Sequence, residues 1–369
     1  MIEQYKQIPT LQDCEQLVKD YEWFSRSEQI IDGQSVVSFK YNLATEELYE
    51  APFGLNMRGI TFVDGELVAL PFPKFYNVGE KDLDICKFDI ETDLAHAYEK
   101  SDGSLICAFY LNGKLRVKSM KSVESDVAIN AHSDMQSDEF WQVRELAESF
   151  LDKHMTPMFE YVSPKNRIVL DYDRPDFIFL GARDMETGAI TFPHEVKRPA
   201  GVTFAEHFST KEQIHDHLDK SGVEGVVVTT KTGLMVKMKT AEYCGLHRVI
   251  TNFSDKIVLE SLYDKKSHQV DDRLDDMIGV MQQMNLDDLV QRANSIRSDY
   301  FYRIEAWTTM CKGILQKHEH MSRSELATML FSSSDKTIGA ACMAILDNKP
   351  NAIAKIIFNQ MLNEFKKGQ

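Results

Sequence analysis

The chain has 369 residues, of which 43% are hydrophobic and 27% are charged, and this is the composition of an ordinary globular protein. It has no apolar run long enough to cross a bilayer and begins without the features of a secretory signal, so we expect a cytoplasmic protein without a membrane segment. The net charge of −15 disfavours nucleic acid as a partner unless the binding site is locally basic.

Residues 1–247 are predicted to form one α+β domain built on antiparallel sheets. Its β-rich runs alternate with turn signals such as VDGE and LNGK, and the runs are SVVSFKYNL, GITFV, SLICAFYL, RIVLDY, FIFLGA and EGVVVTT. A helix is predicted from Asp138 to His154, where apolar residues recur at helical spacing. This mixture favours an antiparallel α+β domain over a doubly wound one.

Residues 248–369 are predicted to form a second, all-helical domain. Apolar residues keep a helical period in three segments, around Met277, Trp307 and Ile356. Ser322 and Glu325 have the spacing of a capping box, which predicts that a helix begins there.

The first motif that suggests chemistry is YEKSDGSL, which places Lys100, Asp102 and Gly103 directly after a predicted strand. A lysine amine attacks phosphorus only when it is deprotonated, and neighbouring cations or burial lower its pKa. A K-x-D-G match alone is weak, because an ordinary charged turn has the same residues. Upstream, Arg58 and Lys74 lie beside apolar or aromatic residues, where they would suit phosphate clamps.

A carboxylate inside a predicted strand is the second feature. Glu160 lies in MFEYVSPKNRIVLDY, where its neighbours Phe159 and Tyr161 face the other way. A carboxylate at such a position needs a partner. It is either an acceptor for ribose hydroxyls or the partner of Lys165 or Arg167 across a turn.

The third feature is a hairpin predicted from EGVVVTTKTGLMVKMKT, with Glu224 at the entrance of its first strand. Period-two alternation puts Met235, Lys237 and Lys239 on one face of the second strand. Paired lysines also protect edge strands, so the pattern alone fits either protection or phosphate binding. A carboxylate beside the two lysines favours a divalent metal and phosphate oxygens as ligands.

Other chemistries have less support. The pairs His215 with His217 and His318 with His320 are predicted on solvated helix faces, where their spacing keeps the side chains apart and argues against a metal site. The six cysteines form no C-x-x-C pair, which argues against disulfides and zinc knuckles. No Walker-type motif occurs, which argues against a P-loop kinase or ATPase.

Taken in order, the segments KSDGS, FEYVSPKNRIVL, FLGAR, VEGVVV and MVKMK resemble the motifs of the covalent nucleotidyltransferase superfamily of ligases and capping enzymes. The resemblance is greatest to the ATP-dependent RNA ligases of T-even bacteriophages. With MRGITF and PKFYN included, the similarity spans about residues 50–247 and fades in the helical tail. It implies an antiparallel-sheet adenylylation domain, located in the host cytoplasm if a phage encodes the chain.

The resemblance implies that Lys100 attacks the α-phosphorus of ATP and carries AMP, with Asp102 and Gly103 shaping the site. It implies that Glu160 contacts the ribose and that Glu224 helps to place the metal. Lys237 and Lys239 would contact the α-phosphate, and Arg58 and Lys74 would contact the triphosphate or the RNA. Tyr76 occupies the position of an aromatic residue in the ATP site.

Four residues are expected to be further substrate contacts. KSMKS replaces the usual Lys-Gly-Ser pattern, so Lys118 or Lys121 is expected to take the part of the auxiliary lysine. Glu242 and Tyr243 follow the last motif, where further contacts with the substrate are expected.

The implied reaction joins RNA 5′-phosphate and 3′-hydroxyl ends through lysyl-AMP and an adenylylated RNA end. Mg²⁺ is the expected metal, with Mn²⁺ as an alternative. The expected substrate is single-stranded or nicked RNA such as a broken tRNA anticodon loop, chosen with help from the helical tail. We expect a monomer that works with an RNA end-healing kinase-phosphatase.

Three alternatives remain on the sequence alone. A DNA ligase and an RNA guanylyltransferase use the same lysine chemistry. A covalent GMP adduct would indicate the guanylyltransferase, and equal use of RNA and DNA ends would indicate the DNA ligase. A noncatalytic nucleic-acid-binding module is the alternative from a different class.

Overall fold

The computed structural model describes residues 2–42, 46–120, 122–267, 269–270, 272–284, 286–332, 336–349 and 351–367. The chain divides into two compact units, Met1–Gly245 and Leu246–Gln369, whereas the sequence placed the boundary after His247. The predicted fold class is confirmed, since antiparallel sheets dominate the first unit and helices the second. Among the described residues, no helix combines the length and apolarity needed to cross a bilayer.

The first unit contains most of the strands. In chain order they are β1 (Phe24–Ile31), β2 (Gln34–Tyr41), β3 (Arg58–Val63), β4 (Glu66–Ala69), β5 (Tyr76–Asn77), β6 (Leu94–Lys100), β7 (Ser104–Leu111), β8 (Lys114–Ser119), β9 (Met155–Val162), β10 (Asp176–Asp184), β11 (Ile190–Thr191), β12 (Thr203–Phe204), β13 (His207–Phe208), β14 (Gly225–Thr230) and β15 (Met235–Lys239). Its helices are α1 (Glu3–Lys6), α2 (Leu11–Asp20), α3 (Glu47–Glu50), α4 (Asp126–Met135), α5 (Trp141–Leu151) and α6 (Lys211–Leu218), and α7 (Ala241–Asn252) contains the boundary between the units.

Three sheets organise this unit. The first has the order β1-β2-β3-β4, the second β11-β10-β9-β7-β8 with β12 beside β10, and the third β13-β6-β14-β15-β5. The pairs β10–β12 and β15–β5 are parallel, and the other pairs are antiparallel. The second sheet packs against α4 and α5, and buried aromatic residues such as Phe159 and Phe177 fill that core. Helices therefore cover one face of the second sheet, which leaves its other face to contribute to a site.

One predicted strand is wrong. The run RIVLDY at 167–172 forms bends, not a strand, after a short 3-10 helix at Pro164–Asn166. The backbone N–H groups of Val169 and Leu170 donate to the Asp102 carboxylate, at 2.7 and 2.6 Å, and so have no part in a sheet. A tertiary hydrogen-bond partner thus outweighs the β propensity of the run.

The second unit contains α8 (Asp255–Ser261), β16 (Tyr263–Asp264), β17 (Gln269–Val270), α9 (Leu274–Gln283), α10 (Asp287–Lys317), α11 (Arg323–Ser332), α12 (Lys336–Leu346) and α13 (Asn351–Lys367). The short antiparallel pair β16–β17 is a departure from the predicted all-helical tail. Tyr263 is buried, so this hairpin fixes a core residue. The predicted capping box is present, because the Ser322 N–H donates to the Glu325 carboxylate and the Glu325 N–H to the Ser322 hydroxyl.

Candidate active site

The first unit encloses a cavity of about 620 Å³. It is lined by several of the residues that the sequence singled out, namely Arg58, Lys100, Gly103, Glu160, Lys237 and Lys239. These come from β3, β6, β9, β15 and the turn after β6, so the fold gathers segments that are up to 181 positions apart, from Arg58 to Lys239. The cavity therefore has a basic wall within a chain of strongly negative net charge.

The register of three strands aligns the central charges. Gly225 at the start of β14 pairs with Lys100 on β6 and with Lys239 on β15. Glu224 precedes it and is 3% exposed. Its Oε2 lies 2.9 Å from Lys100 Nζ, and its Oε1 lies 2.9 Å from Lys239 Nζ. One buried carboxylate thus bridges and orients both lysines.

Gly225 is required for this alignment. A Cβ at this position would lie 2.0 Å from the Met238 carbonyl oxygen and 2.8 Å from Lys239 Cα. Such contacts would force β14 and β15 apart. The absence of a side chain thus lets the backbone carrying Glu224 approach the strand that carries Lys239.

Asp102 organises the turn that follows Lys100 and is 1% exposed. Its Oδ2 accepts from the Val169 and Leu170 N–H groups, and its Oδ1 accepts from the Tyr243 hydroxyl at 2.6 Å. Its own N–H donates to the Tyr172 hydroxyl. Asp102 therefore ties the turn after Lys100 to a distant loop and to α7. Its side chain does not line the cavity in this conformation, so its direct contact with ATP stays a prediction.

Gly103 lets the same turn pack against β9. A Cβ there would lie 2.5 Å from the Tyr161 carbonyl oxygen and 3.0 Å from Glu160 Cγ. Glu160 lines the cavity, while its neighbours Phe159 and Tyr161 are fully buried on the other face, as predicted. Arg167, one of the two partners considered for Glu160, forms an ion pair with Asp171.

The cavity shifts the proton affinities of two facing groups in opposite directions. Burial raises the pKa of Glu160 to about 7, and the nearby Glu224 adds to this, while Lys100 and Arg58 oppose it. Burial lowers the pKa of Lys237 to about 7, with further lowering by the cations Lys74, Arg58, Lys100 and Lys239. A bound polyanion would reverse the second effect, so this wall is suited to phosphate.

The structure places Lys74 and Tyr76 behind the cavity wall. Both are buried, and Lys74 Nζ lies 4.3 Å from the centre of the Tyr76 ring. Burial lowers the pKa of the Lys74 ammonium. Neither side chain lines the cavity, so their direct contact with ATP stays a prediction, and in this conformation the Lys74 charge lowers the pKa of Lys237.

The four further contacts expected from the sequence have different positions. Lys118 is fully buried and donates to the carbonyl oxygens of Gly59 and Ser119, at 2.9 and 2.8 Å, so this conformation does not favour direct contact with RNA. Tyr243 is buried against Asp102, with Lys239 Nζ 4.8 Å from its ring centre, which makes it a positioning residue in this conformation. Glu242 is exposed on α7. Lys121 lies outside the described residues.

Sequence reasoning missed the aromatic part of the cavity. Tyr98 and Phe192 line it, and their rings stack at 5.9 Å between centroids with an angle of 14° between planes. Tyr98 lies two residues before Lys100 on β6, so strand alternation alone could have placed it on the same face. Phe192 carries no local signal, because only the tertiary fold brings it there.

The histidine pairs are partly mispredicted. His217 is 2% exposed and its ring packs 4.8 Å from Phe208, because the apolar face of α6 turns it inward, away from solvent. His318 ends α10 as its C-cap, so this pair does not lie on a helix face. Among the described residues, no group of three or more His, Cys, Asp or Glu is arranged to hold a metal ion.

The comparisons with known proteins identify the family of the chain. A family model described as RNA ligase matches residues 56–243, just over half of the chain. A putative RNA ligase of Thermovibrio ammonificans is 22% identical over 289 residues, covering 75% of this chain and 74% of the relative. RNA ligase 1 of Bacteriophage TS2126 is 26% identical over 287 residues, covering 74% and 69%.

Among solved structures, a putative ATP-dependent DNA ligase from Aquifex aeolicus has a TM-score of 0.46 and 14% identity, with 80% of each chain covered. An archaeal ATP-dependent RNA ligase has a TM-score of 0.45 and 14% identity, with 76% of each chain covered. The assignment to a family rests on the sequence match and not on these structural similarities.

A lysine held by a buried carboxylate in a basic cavity is compatible with nucleotidyl transfer, which needs an amine nucleophile and cations beside phosphate oxygens. The chain belongs to the RNA ligase family. This confirms the predicted class of RNA ligase, for which a lysyl-AMP intermediate is general.

Proposed function

We propose that Lys100 is the residue that carries AMP in this RNA ligase, and that Mg²⁺ and RNA ends bind at the same cavity. The observation that supports this most directly is the bridge from Glu224 to Lys100 and Lys239, at 2.9 Å on each side, inside a cavity that also contains Arg58 and Lys237. The bridge fixes the position of the amine, and the other cations supply charge for phosphate oxygens.

In the first step Lys100 Nζ, once it has lost a proton, attacks the α-phosphorus of ATP. A nitrogen–phosphorus bond forms while the bond from the α-phosphorus to the bridging oxygen breaks, and pyrophosphate leaves. Lys237, Lys239 and Arg58 hold the phosphate oxygens on which negative charge develops, and Glu160 accepts hydrogen bonds from ribose hydroxyls.

The described residues fit a metal that arrives with the nucleotide better than a resident one. Mg²⁺ commonly binds through one or two carboxylates together with substrate phosphates, and the site offers Glu224 with Glu160 nearby. A divalent cation bound by Glu224 would neutralise phosphate charge. Its binding competes with the two lysines for the same carboxylate oxygens, which would release the Lys100 amine from its ion pair.

In the second step the 5′-phosphate of RNA attacks the phosphorus of lysyl-AMP, and the Lys100 nitrogen leaves. In the third step an RNA 3′-hydroxyl attacks the activated phosphate and AMP is expelled. We propose broken RNA, such as a cleaved tRNA anticodon loop, as the substrate, with the helical unit contributing to its choice and an end-healing kinase-phosphatase preparing the ends.

Two substrates separate the steps experimentally. Wild-type protein and Lys100→Ala are given either ATP with 5′-phosphorylated RNA or RNA that is already adenylylated at its 5′ end. We expect Lys100→Ala to lose joining with ATP and to retain joining of the adenylylated RNA. Equal joining by both proteins with ATP would contradict the assignment of Lys100, and joining of DNA ends at the same rate would favour a DNA ligase.

A further inference from the structure

Four aromatic rings connect the cavity with the surface of the first unit; we call Tyr98, Phe192, His194 and His207 the ring cluster. The planes of Phe192 and His194 differ by 19°, and those of His194 and His207 by 7°. The His194 and His207 rings stack with their centroids 4.6 Å apart. Near-parallel rings thus continue outward from the stacked pair of Tyr98 and Phe192.

The ring cluster lies on the same face of the third sheet as the reacting lysine. His207 on the edge strand β13 pairs directly with Tyr98 on β6, so the two side chains share a face, and Lys100 lies two residues further along β6. Tyr98 and Phe192 line the cavity, whereas His194 and His207 are exposed. The two histidines therefore mark the rim of the cavity at the sheet edge.

The exposed rings are held in position before any ligand binds. The Tyr98 hydroxyl shares a hydrogen bond with His194 Nδ1, and the His194 backbone N–H donates to the same hydroxyl at 3.3 Å. His207 is held by its backbone pairing with β6 and packs 5.2 Å from the Tyr98 ring. A preorganised ring loses little conformational entropy when it stacks on a ligand.

We propose that His194 and His207 form a stacking site for an unpaired base of the RNA, at or next to the end that is joined. This deepens the proposed function and rests on it for the identity of the ligand. Flat rings at the mouth of a nucleotide cavity are the feature with which proteins bind splayed bases. The exposed Glu195 carboxylate accepts from the backbone N–H of Phe192, and this negative charge beside the ring cluster disfavours a phosphate there and favours the uncharged face of a base.

The test measures base stacking separately from nucleotidyl transfer. A 5′-phosphorylated single-stranded RNA carrying 2-aminopurine near its 5′ end, or in a second probe near its 3′ end, is titrated into the full-length protein while its fluorescence is recorded. The variants are His207→Ala, His207→Phe and, as a matched control, His215→Ala, which removes an exposed histidine on α6. Formation of the AMP adduct from labelled ATP is measured on every variant.

We expect 2-aminopurine fluorescence to be quenched on binding to the wild type. His207→Ala should bind the RNA roughly tenfold more weakly and lose the quenching, because stacking on an aromatic ring contributes about 1–3 kcal/mol per base. His207→Phe should keep both signals, since it keeps a flat ring, and His215→Ala should match the wild type. AMP adduct formation should be the same in all four proteins.

Unchanged affinity and quenching in His207→Ala would overturn the proposal. A parallel loss of AMP adduct formation would also overturn it, because the rings would then serve ATP and not RNA. If the wild type formed no adduct, the proposed function would fail, while the comparison of RNA binding between His207→Ala and His207→Phe would still decide on the stacking site.

Discussion

Asp102 is expected to make a large contribution to the free energy of unfolding of the first unit. Replacing it by Ala removes the acceptor of the Val169 and Leu170 N–H groups and one hydrogen bond of the Tyr243 hydroxyl. Each buried donor that loses its partner costs about 1–3 kcal/mol. With two N–H donors that lose their acceptor, we therefore expect Asp102→Ala to lower the free energy of unfolding of the first unit by about 2–6 kcal/mol.

Two milder variants test whether this loss of stability comes from the hydrogen bonds of Asp102. Asp102→Asn keeps the shape, with an amide oxygen for the two N–H groups and an NH₂ that donates to the Tyr243 oxygen, so we expect a loss of only about 1–2 kcal/mol. Tyr243→Phe removes one hydrogen bond to a charged acceptor and should cost about 2 kcal/mol. In the double variant of Asp102→Ala with Tyr243→Phe, the effects should be non-additive by about 1–2 kcal/mol.

The assay must report on the first unit alone. The chain has three tryptophans, and Trp307 lies in the second unit, so a Trp307→Phe background leaves Trp23 and Trp141 as reporters of the first. Urea unfolding followed by tryptophan fluorescence then gives the free energies. Additive effects in the double variant, or a loss below about 1 kcal/mol in Asp102→Ala, would refute the role of Asp102 as the organising acceptor.

Three further predictions follow from the geometry and charges of the cavity. Gly225→Ala should abolish AMP transfer while the second unit keeps its helical circular dichroism signal, because a Cβ 2.0 Å from the Met238 carbonyl oxygen separates Glu224 from Lys239. Lys237, with a pKa of about 7, should regain its proton when ATP phosphate binds beside it. Calorimetry at pH 8 in buffers of different ionisation enthalpy should therefore detect proton uptake on ATP binding. Lys237→Arg should show no such uptake. Between pH 4.5 and 7 the folded state binds more protons at Glu160 than the unfolded state does, because the folded pKa is about 7. The free energy of unfolding of the wild type should therefore fall relative to that of Glu160→Gln as the pH rises through this window. Urea unfolding should show a relative loss of up to about 3 kcal/mol.

Strand periodicity explains what the sequence could predict about the site. Alternation on β15 put Lys237 and Lys239 on one face, and the structure has both lining the cavity. The same argument placed Glu160 opposite to Phe159 and Tyr161. These predictions were possible because side-chain direction in a strand is a local property with a period of two residues.

Contacts between distant segments explain what the sequence could not predict. The strand expected at RIVLDY does not form, because the Asp102 carboxylate, 67 positions before Val169, takes its N–H groups. Lys118 looked like a substrate contact, but it lies in the interior, where the Gly59 carbonyl oxygen accepts from its ammonium. No local pattern reveals a partner that only the tertiary fold supplies.

The most direct test of the central claim is to locate the nucleotide on the protein. Wild-type protein, first freed of any bound AMP with pyrophosphate, is incubated with ATP and Mg²⁺, digested and analysed by mass spectrometry of its peptides, beside Lys100→Ala and Lys237→Ala. We predict AMP on Lys100 of the wild type, none on Lys100→Ala, and a strongly reduced yield on the same Lys100 in Lys237→Ala. AMP on any other lysine of the wild type, or an adduct that survives in Lys100→Ala, would contradict the assignment of the nucleophile.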